Sequence, residues 1–503
     1  MRHELLAALP TSAPTAVRRG MRRETREADT MVMGSLRQRT ETVVIGGGPG
    51  GYVAALRAAD LGREVVLVEE REAVGGVCLL EGCIPSKTLI HAVEVFHTAE
   101  DARQMGLTFS DLAIDADALR SFKQSVLDKL AQGTAGLLKS RGVEVVKGRA
   151  RFDGASSLAL EGSDVAGIEF QNAIVATGSR VAQIPLTKDL PVWTSREALE
   201  LPTVPETLLV VGGGYIGMEL GLVYAGLGSR VTLVELLPTL LTGADQDLVR
   251  VVARTAKRRF EELLTDTRVT AVERRAGRFL VTMEKDGDPK TVEVDQVLVA
   301  VGRVPNTDEI GLDKAGVSVG DDGLLPVDAQ CRTNVPHILA IGDVTPGPML
   351  AHKASRQGKV AAEAISGHPA AFDNRSVPAV VFTDPELAWT GLTEEEAKRD
   401  GRQVTVGRFP LSALGRARTM GRTDGMAKVI ADPESELLLG VGLVGPHASE
   451  LIAEASLAIE MGATLEDLAA TIHPHPTLSE AVMEAAEVAA GSAVHISVSK
   501  SKT

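Results

Sequence analysis

The sequence predicts an α/β protein with two parallel-sheet units and a smaller α+β unit toward its C-terminal end. Three observations carry that expectation. A short apolar run, Thr42-Val43-Val44-Ile45, leads into the glycine turn Gly46-Gly47-Gly48-Pro49-Gly50-Gly51 and then a helical stretch from about Tyr52 to Leu61. The same arrangement returns without a gap when the sequence is shifted by 166 residues. From about Val377 the pattern changes to short strands followed by a helix. A chain of 503 residues is long enough for several domains, each with its own core. Apolar residues make up 44% and charged residues 24%, the balance of a globular protein. The net charge of −14 argues against a nucleic-acid partner.

Residues 1–40 differ from the rest, with eight arginines against four acidic residues. The apolar run Leu5 to Leu9 is too short for a secretory signal, and Glu4, Glu24, Glu27 and Asp29 disfavour a mitochondrial transit peptide. The expectation is a disordered basic extension, or translation starting near Met31 or Met33. A cytoplasmic protein is expected over one of the mitochondrial matrix.

Organised structure is expected from Glu41. Thr42–Ile45 reads as a buried strand, and a second strand runs from Glu64 to Val68 and ends on Glu69. Strand, glycine turn, helix and strand closed by an acid form the dinucleotide-binding βαβ fingerprint. Gly46 permits the tight turn, Gly48 lets the backbone approach a pyrophosphate, and Gly51 brings helix and strand together. The helix N-terminus supports the phosphate charge. Glu69 is placed to accept hydrogen bonds from ribose hydroxyls.

One such motif is a weak signal, but this one repeats. Gly46, Gly48, Gly51 and Glu69 map onto Gly212, Gly214, Gly217 and Glu235. A repeat in such register predicts two Rossmann-like dinucleotide sites. It also accounts for Leu208 to Gly228, a window with the single charge Glu219 that resembles a membrane span. A parallel strand buried on both faces reads as continuously apolar, so a strand, turn and helix are expected there and no membrane span. Glu235 favours a free 2′-hydroxyl and repels a 2′-phosphate, which points to NAD rather than NADP.

Two of the three cysteines, Cys78 and Cys83, stand with four residues between them just after the first unit. They can bridge if the first lies just before a helix and the second in its first turn. Pro85 suits a helix start, and Lys87 through Val95 can continue it. A lone close pair in a chain otherwise poor in cysteine is more often catalytic than structural. Two unpaired buried thiols and half a metal site are the alternatives, and no second pair completes a zinc site.

From about Thr42 to Ala489 the chain resembles the flavin-dependent pyridine nucleotide–disulfide oxidoreductases. The resemblance rests on the glycine motifs, the cysteine segment Gly76–Lys87, Ala176-Thr177-Gly178-Ser179, Val301-Gly302-Arg303-Val304-Pro305-Asn306, Ala340-Ile341-Gly342-Asp343 and Met349-Leu350-Ala351-His352. Their order and spacing make them specific. Val77, Leu80 and Glu81 depart from the residues usual beside the cysteines.

The resemblance implies FAD held by Gly46, Gly48, Gly51, Glu69, Lys87, Ala150, Thr177, Gly178, Ser179, Asp343, Met349, Leu350, Ala351 and His352. It implies NAD held by Gly212, Gly214, Ile216, Gly217, Glu219, Glu235, Val269 and Gly302. It implies a redox-active Cys78–Cys83 disulfide, with Cys83 nearer the flavin and Cys78 exchanging with substrate, and a Lys87–Glu219 pair near the flavin.

The last unit opens with Pro378-Ala379-Val380-Val381-Phe382-Thr383-Asp384-Pro385-Glu386. Strands are expected around Ala427–Ile430 and Leu437–Leu443, with a helix from about Ala448 to Met461. Near its end stands His473-Pro474-His475-Pro476-Thr477-Leu478-Ser479-Glu480. The resemblance makes His475 the acid–base catalyst, held by Glu480. A dithiol must lose protons before thiolate attack, and a histidine titrates in the useful range. The expected division is 1–40 extension, 41–182 FAD domain, 183–306 NAD domain, 307–375 second part of the FAD domain, and 376–503 dimerisation domain.

Within the family the chain is most similar to members that oxidise protein-bound dihydrolipoamide with NAD⁺. That implies a homodimer, with lipoyl domains and the peripheral-subunit-binding domain of a 2-oxoacid dehydrogenase complex as partners. A glutathione reductase type would want a basic residue where Glu235 stands. A non-catalytic docking flavoprotein would be expected to have lost a cysteine or the histidine, and none is lost.

Overall fold

The computed structural model describes residues 37–497. Met31, Met33 and most of the basic extension lie outside the described residues. The expected start of order at Glu41 is corrected, because β1 runs from Arg37 to Ile45. Its first residues pair in register with the long strand β6, Gly167–Val175, from Arg37↔Gly167 onward. Arg39 Nε bonds Glu169 Oε2 at 2.8 Å across that ladder. The arginines that make residues 37–40 look like a tail are thus the solvent side of a strand.

The first sheet has the order β3-β2-β1-β6-β5-β4. β2 is Val65–Glu69, β3 Glu144–Lys147, β4 Arg149–Gly154 and β5 Ser157–Glu161. The pairs β3-β2, β2-β1 and β1-β6 are parallel. Strand Ile338–Ala340 returns from much later in the chain to lie parallel to β6. α1, Pro49–Asp60, packs against helix Ala351–Ile365, so the segment after the second unit completes the first. A Cβ on Gly358 would sit 2.5 Å from Gly50 O, which shows how closely the two helices approach.

The second unit is a four-stranded parallel sheet in the order Glu262–Leu264, Arg230–Val234, Thr207–Val211, Gln296–Val299. Helix Tyr215–Gly226 follows its glycine turn. The membrane-like window is therefore strand, turn and helix, with Leu208, Leu209 and Val210 wholly buried. Among the described residues no helix is long and apolar enough to cross a membrane.

The C-terminal unit is a five-stranded antiparallel sheet: Ala379–Val381, Glu386–Gly391, Leu438–Gly445, Met426–Ala431, Thr405–Pro410. Helices Ala448–Met461, Leu465–Ala470 and Glu480–Ala490 bury their apolar faces in one cluster with that sheet. It joins the second unit through a buried charge cluster. Lys428 Nζ, 1% exposed, meets Asp245 Oδ2 at 2.9 Å, Asp247 Oδ1 at 2.6 Å and Glu394 Oε2 at 2.9 Å. Asp245 also accepts the backbone N–H groups of Glu394 and Glu395. Removing Lys428 from such a cluster typically costs about 3–5 kcal/mol, because Asp245 stays buried without its cation.

Candidate active site

The two glycine turns are built alike. Gly46 and Gly212 have φ of 100° and 110°, in the left-handed region that glycine tolerates. A Cβ on Gly51 would fall 1.8 Å from Gly46 O, and one on Gly217 would fall 1.9 Å from Gly212 O. Gly48 and Gly214 are the N-caps of their helices, and no side chain caps either one. Each acid at the end of the second strand closes its turn. Glu69 accepts from Gly47 N at 2.8 Å and Arg71 N at 3.0 Å. Glu235 accepts from Gly213 N at 2.6 Å and Leu237 N at 2.7 Å.

The cysteine segment docks on the first turn. Gly75 N donates to Gly47 O at 2.8 Å. A Cβ on Gly76 would lie 2.6 Å from Gly48 Cα, and the positive φ of Gly75 and Gly76 brings the chain in that close. Cys78 then lies inside a short helix, α2, Gly76–Glu81, rather than just before one. Cys83 is the first residue of α3, Cys83–Asp101. Gly82, between the helices, breaks the first and lets the second begin.

The sulfurs of Cys78 and Cys83 interact, so that in the reduced pair each shifts the other. The hydrogen bond from Cys78 pulls the Cys83 thiol down to about 7 against its burial, with help from the Lys87 ammonium. The same hydrogen bond and burial push Cys78 far up. The dithiol therefore has one favoured thiolate, on Cys83. Among the described residues no cluster of His, Cys, Asp or Glu could hold a metal ion.

A cleft of about 610 Å³ runs past this pair. Gly46, Gly48, Glu69, Ala150, Cys78, Cys83, Lys87, Thr177, Gly178, Ser179, Asp343, Met349 and Ala351 line it. From the second unit it takes Ile216 and Glu219, together with Tyr215. Lys87 Nζ bonds Glu219 Oε2 at 2.8 Å, and the Glu219 side chain is 4% exposed.

Asp343 Oδ2 accepts from Ser179 Oγ at 2.6 Å, which in turn accepts from Arg303 Nε at 2.7 Å. This chain of bonds joins the two units beneath the cleft. Arg303, which also lines the cleft, was missed as a site residue, although it lies in a motif quoted from the sequence. Its signal was hidden because it acts partly through a bond to the backbone carbonyl of Ser179.

Other expected residues fall elsewhere. Leu350 is the N-cap of helix Ala351–Ile365, outside the cleft lining. His352 Nε2 bonds Pro378 O at 2.7 Å, which turns its ring toward the C-terminal unit. Val269 lies on the antiparallel strand Arg268–Arg275 and packs into an apolar layer of the second unit. Gly302 has φ of 127° and its carbonyl accepts from Ala182 N at 3.0 Å.

His475 and Glu480 do not line the cleft of their own chain. They form a unit of their own: Nδ1 lies 2.8 Å from Glu480 Oε1, and Glu480 Oε2 accepts from Thr477 N at 2.7 Å. Burial would push the Glu480 carboxyl up, but the bonds from His475 and Thr477 N–H outweigh it and hold it below its ordinary value. A carboxylate only accepts, so Nδ1 donates and the neutral ring keeps its Nε2 lone pair free. The His475 side chain is 78% exposed.

The fold and this cleft define a two-nucleotide redox protein with a dithiol, and the comparisons agree. Residues 40–358 match the pyridine nucleotide-disulphide oxidoreductase family, and residues 377–486 match that family's dimerisation domain. The chain belongs to this family. It is an oxidoreductase, and FAD and NAD are its cofactors.

Among its relatives, the dihydrolipoyl dehydrogenase of Geobacillus stearothermophilus is 48% identical over 93% of this chain and 99% of that protein. The dihydrolipoyl dehydrogenase of Haloferax volcanii is 50% identical over 92% of this chain and 99% of that protein. Among solved structures, LpdA from Mycobacterium tuberculosis superposes with a TM-score of 0.82 at 29% identity, covering 89% of this chain and 99% of that one.

The residues fit FAD. The first glycine turn leaves room where a Cβ would block the backbone, and an uncapped helix N-terminus faces the cleft. The cleft is lined from Glu69 and Ala150 to Asp343 and the cysteines.

Proposed function

We propose that this protein is an NAD⁺-dependent dehydrogenase of protein-bound dihydrolipoamide. The observation that carries the reading is the docking of the Cys78–Cys83 segment on the first glycine turn. It puts the dithiol, Lys87–Glu219 and the helix of the second glycine turn in one cleft.

The reaction begins with the pair oxidised to a disulfide. His475 Nε2 takes a proton from dihydrolipoamide, and the thiolate formed attacks Cys78 Sγ. The S–S bond to Cys83 breaks, leaving Cys83 as thiolate, the form its neighbours favour. The second substrate thiol then attacks the substrate sulfur of the mixed disulfide; its S–S bond to Cys78 breaks, lipoamide leaves, and the proton lost by that thiol goes to the departing Cys78 thiolate. Gly46, Gly48, Ser179 and Asp343 would hold FAD beside the cysteine pair, where it would supply an electron-pair acceptor for the dithiol and a hydride donor for NAD⁺. Lys87 holds its charge beside Cys83, and Glu219 fixes Lys87.

His475 lies outside its own chain's cleft, so a homodimer in which the partner's His475 completes the site fits the reading. Leu457, Met461 and Ile472, in the same C-terminal unit, are 63%, 76% and 95% exposed. Glu454, on the same helix as Leu457 and Met461, bonds His473 at 2.8 Å. Exposed apolar side chains clustered in this way mark a partner surface. Lipoyl domains of a 2-oxoacid dehydrogenase complex are the substrate carriers in this reading, and the cytoplasm is its location.

NADH-dependent lipoamide reduction measured beside NADPH-dependent glutathione reduction tests the reading. The first should proceed and the second should not. The reverse result would make the protein a glutathione reductase type.

A further inference from the structure

Glu219 has a second partner that neither the family motif nor the cleft supplies. Its Oε2 takes Lys87, while its Oε1 accepts from Phe382 N at 2.9 Å. Phe382 follows strand Ala379–Val381 of the C-terminal unit, 163 residues along the chain from Glu219. Its ring also faces the cation, with Lys87 Nζ 4.5 Å from the ring centroid. An ammonium at that distance over an aromatic face is attracted by the ring quadrupole.

Three units thus meet at one ion pair. Lys87 comes from α3 of the first, Glu219 from the second, and Phe382 holds both from the third. We propose that Phe382 is a positioning residue for the Lys87–Glu219 pair, through which the C-terminal unit fixes the charge beside Cys83.

The inference rests on the redox role proposed for Cys83. Lys87 is four residues along α3 from Cys83, on the same helix face. A lysine held by both a carboxylate and a ring keeps its charge in one place. Without the ring, the ammonium is tethered at Glu219 alone and spends more time in solvent, where its effect on Cys83 is screened. The groups facing Cys83 are Cys78, Lys87, Glu219 and Tyr215. Behind Glu219 the crevice carries Glu94, His97 and Arg259 from helices, and Asp384, Glu386, Arg422 and His447 from the C-terminal unit. All of these are unchanged in the variants below.

The test uses the flavin-loaded protein in a Cys78→Ser background, where the Cys83 thiolate gives a long-wavelength charge-transfer band. The band is titrated with pH. Phe382→Leu should raise its midpoint by about half a pH unit, the shift expected from losing one partly exposed cation–ring contact. Phe382→Met, which keeps the volume without the ring, should do the same. Phe382→Tyr should restore the original midpoint.

With the cysteines intact, the same substitutions should lower kcat roughly two- to five-fold and leave both KM values unchanged, with Tyr again restoring the rate. Flavin content and Tm of each variant show that it has folded. A midpoint that stays put or falls in both Leu and Met variants overturns the inference. Absence of the band from Cys78→Ser itself would instead contradict the redox reading, and the inference would fall with it.

Discussion

Both oxygens of Glu235 are already engaged by the turn it closes, at Gly213 N and Leu237 N. The carboxylate proposed to discriminate against a 2′-phosphate thus also holds the glycine turn in shape. Its type and place were legible in the sequence, because an acid at the end of that strand has one known use. Its backbone partners were not, since a backbone donor leaves no mark on residue type. Glu235→Arg should raise the NADP⁺/NAD⁺ ratio of kcat/KM roughly 10- to 100-fold, the worth of one new charge-assisted bond at ~1.5–3 kcal/mol. Steady-state kinetics with both coenzymes measures it. Equal use of the two coenzymes by the unaltered protein would show that Glu235 does not discriminate.

At the scale of elements, the repeat was readable because each glycine has a steric cause. Gly51 and Gly217 both sit where any Cβ would strike a carbonyl oxygen of their own turn. Gly51→Ala should therefore push α1 off β1, and the strain of ~1–3 kcal/mol expected from such overpacking should appear as lost flavin. The ratio of flavin to protein absorbance after dialysis should fall well below that of the unaltered chain, while Gly62→Ala, where nothing lies within 4 Å, should leave it unchanged apart from local backbone strain. Full flavin retention in Gly51→Ala would contradict the close approach.

Other elements were less legible. The sequence places Cys78 just before a helix; the positive φ of Gly75 and Gly76 instead lands the chain on Gly48 and starts α2 ahead of it. The beginning of β1 was hidden among arginines. Its identity lies in pairing with β6, more than a hundred residues away, which no local pattern carries.

At the scale of the molecule, the C-terminal unit reaches the other two at separate places. Lys428 clamps it to the second unit through Asp245 and Asp247. Phe382 brings it to Lys87 and Glu219. His475 and Glu480 do not line their own chain's cleft. The histidine and its carboxylate could be named from the sequence; in the proposed reading they act on a second subunit, whose surface one chain's pattern does not contain. A two-fold assembly makes both shared sites together or neither.

A hybrid dimer tests the shared site most directly. One subunit carries Cys83→Ser and the other His475→Gln, each inactive as a homodimer, and the hybrid is isolated by differential tags after refolding. NAD⁺-dependent dihydrolipoamide oxidation is then measured on flavin-loaded protein. With catalysis across the interface, one site gathers both defects and the other is intact, so about half of the unaltered activity should return. A folded, flavin-loaded hybrid with no activity would mean that each chain uses its own histidine, and would contradict the shared site.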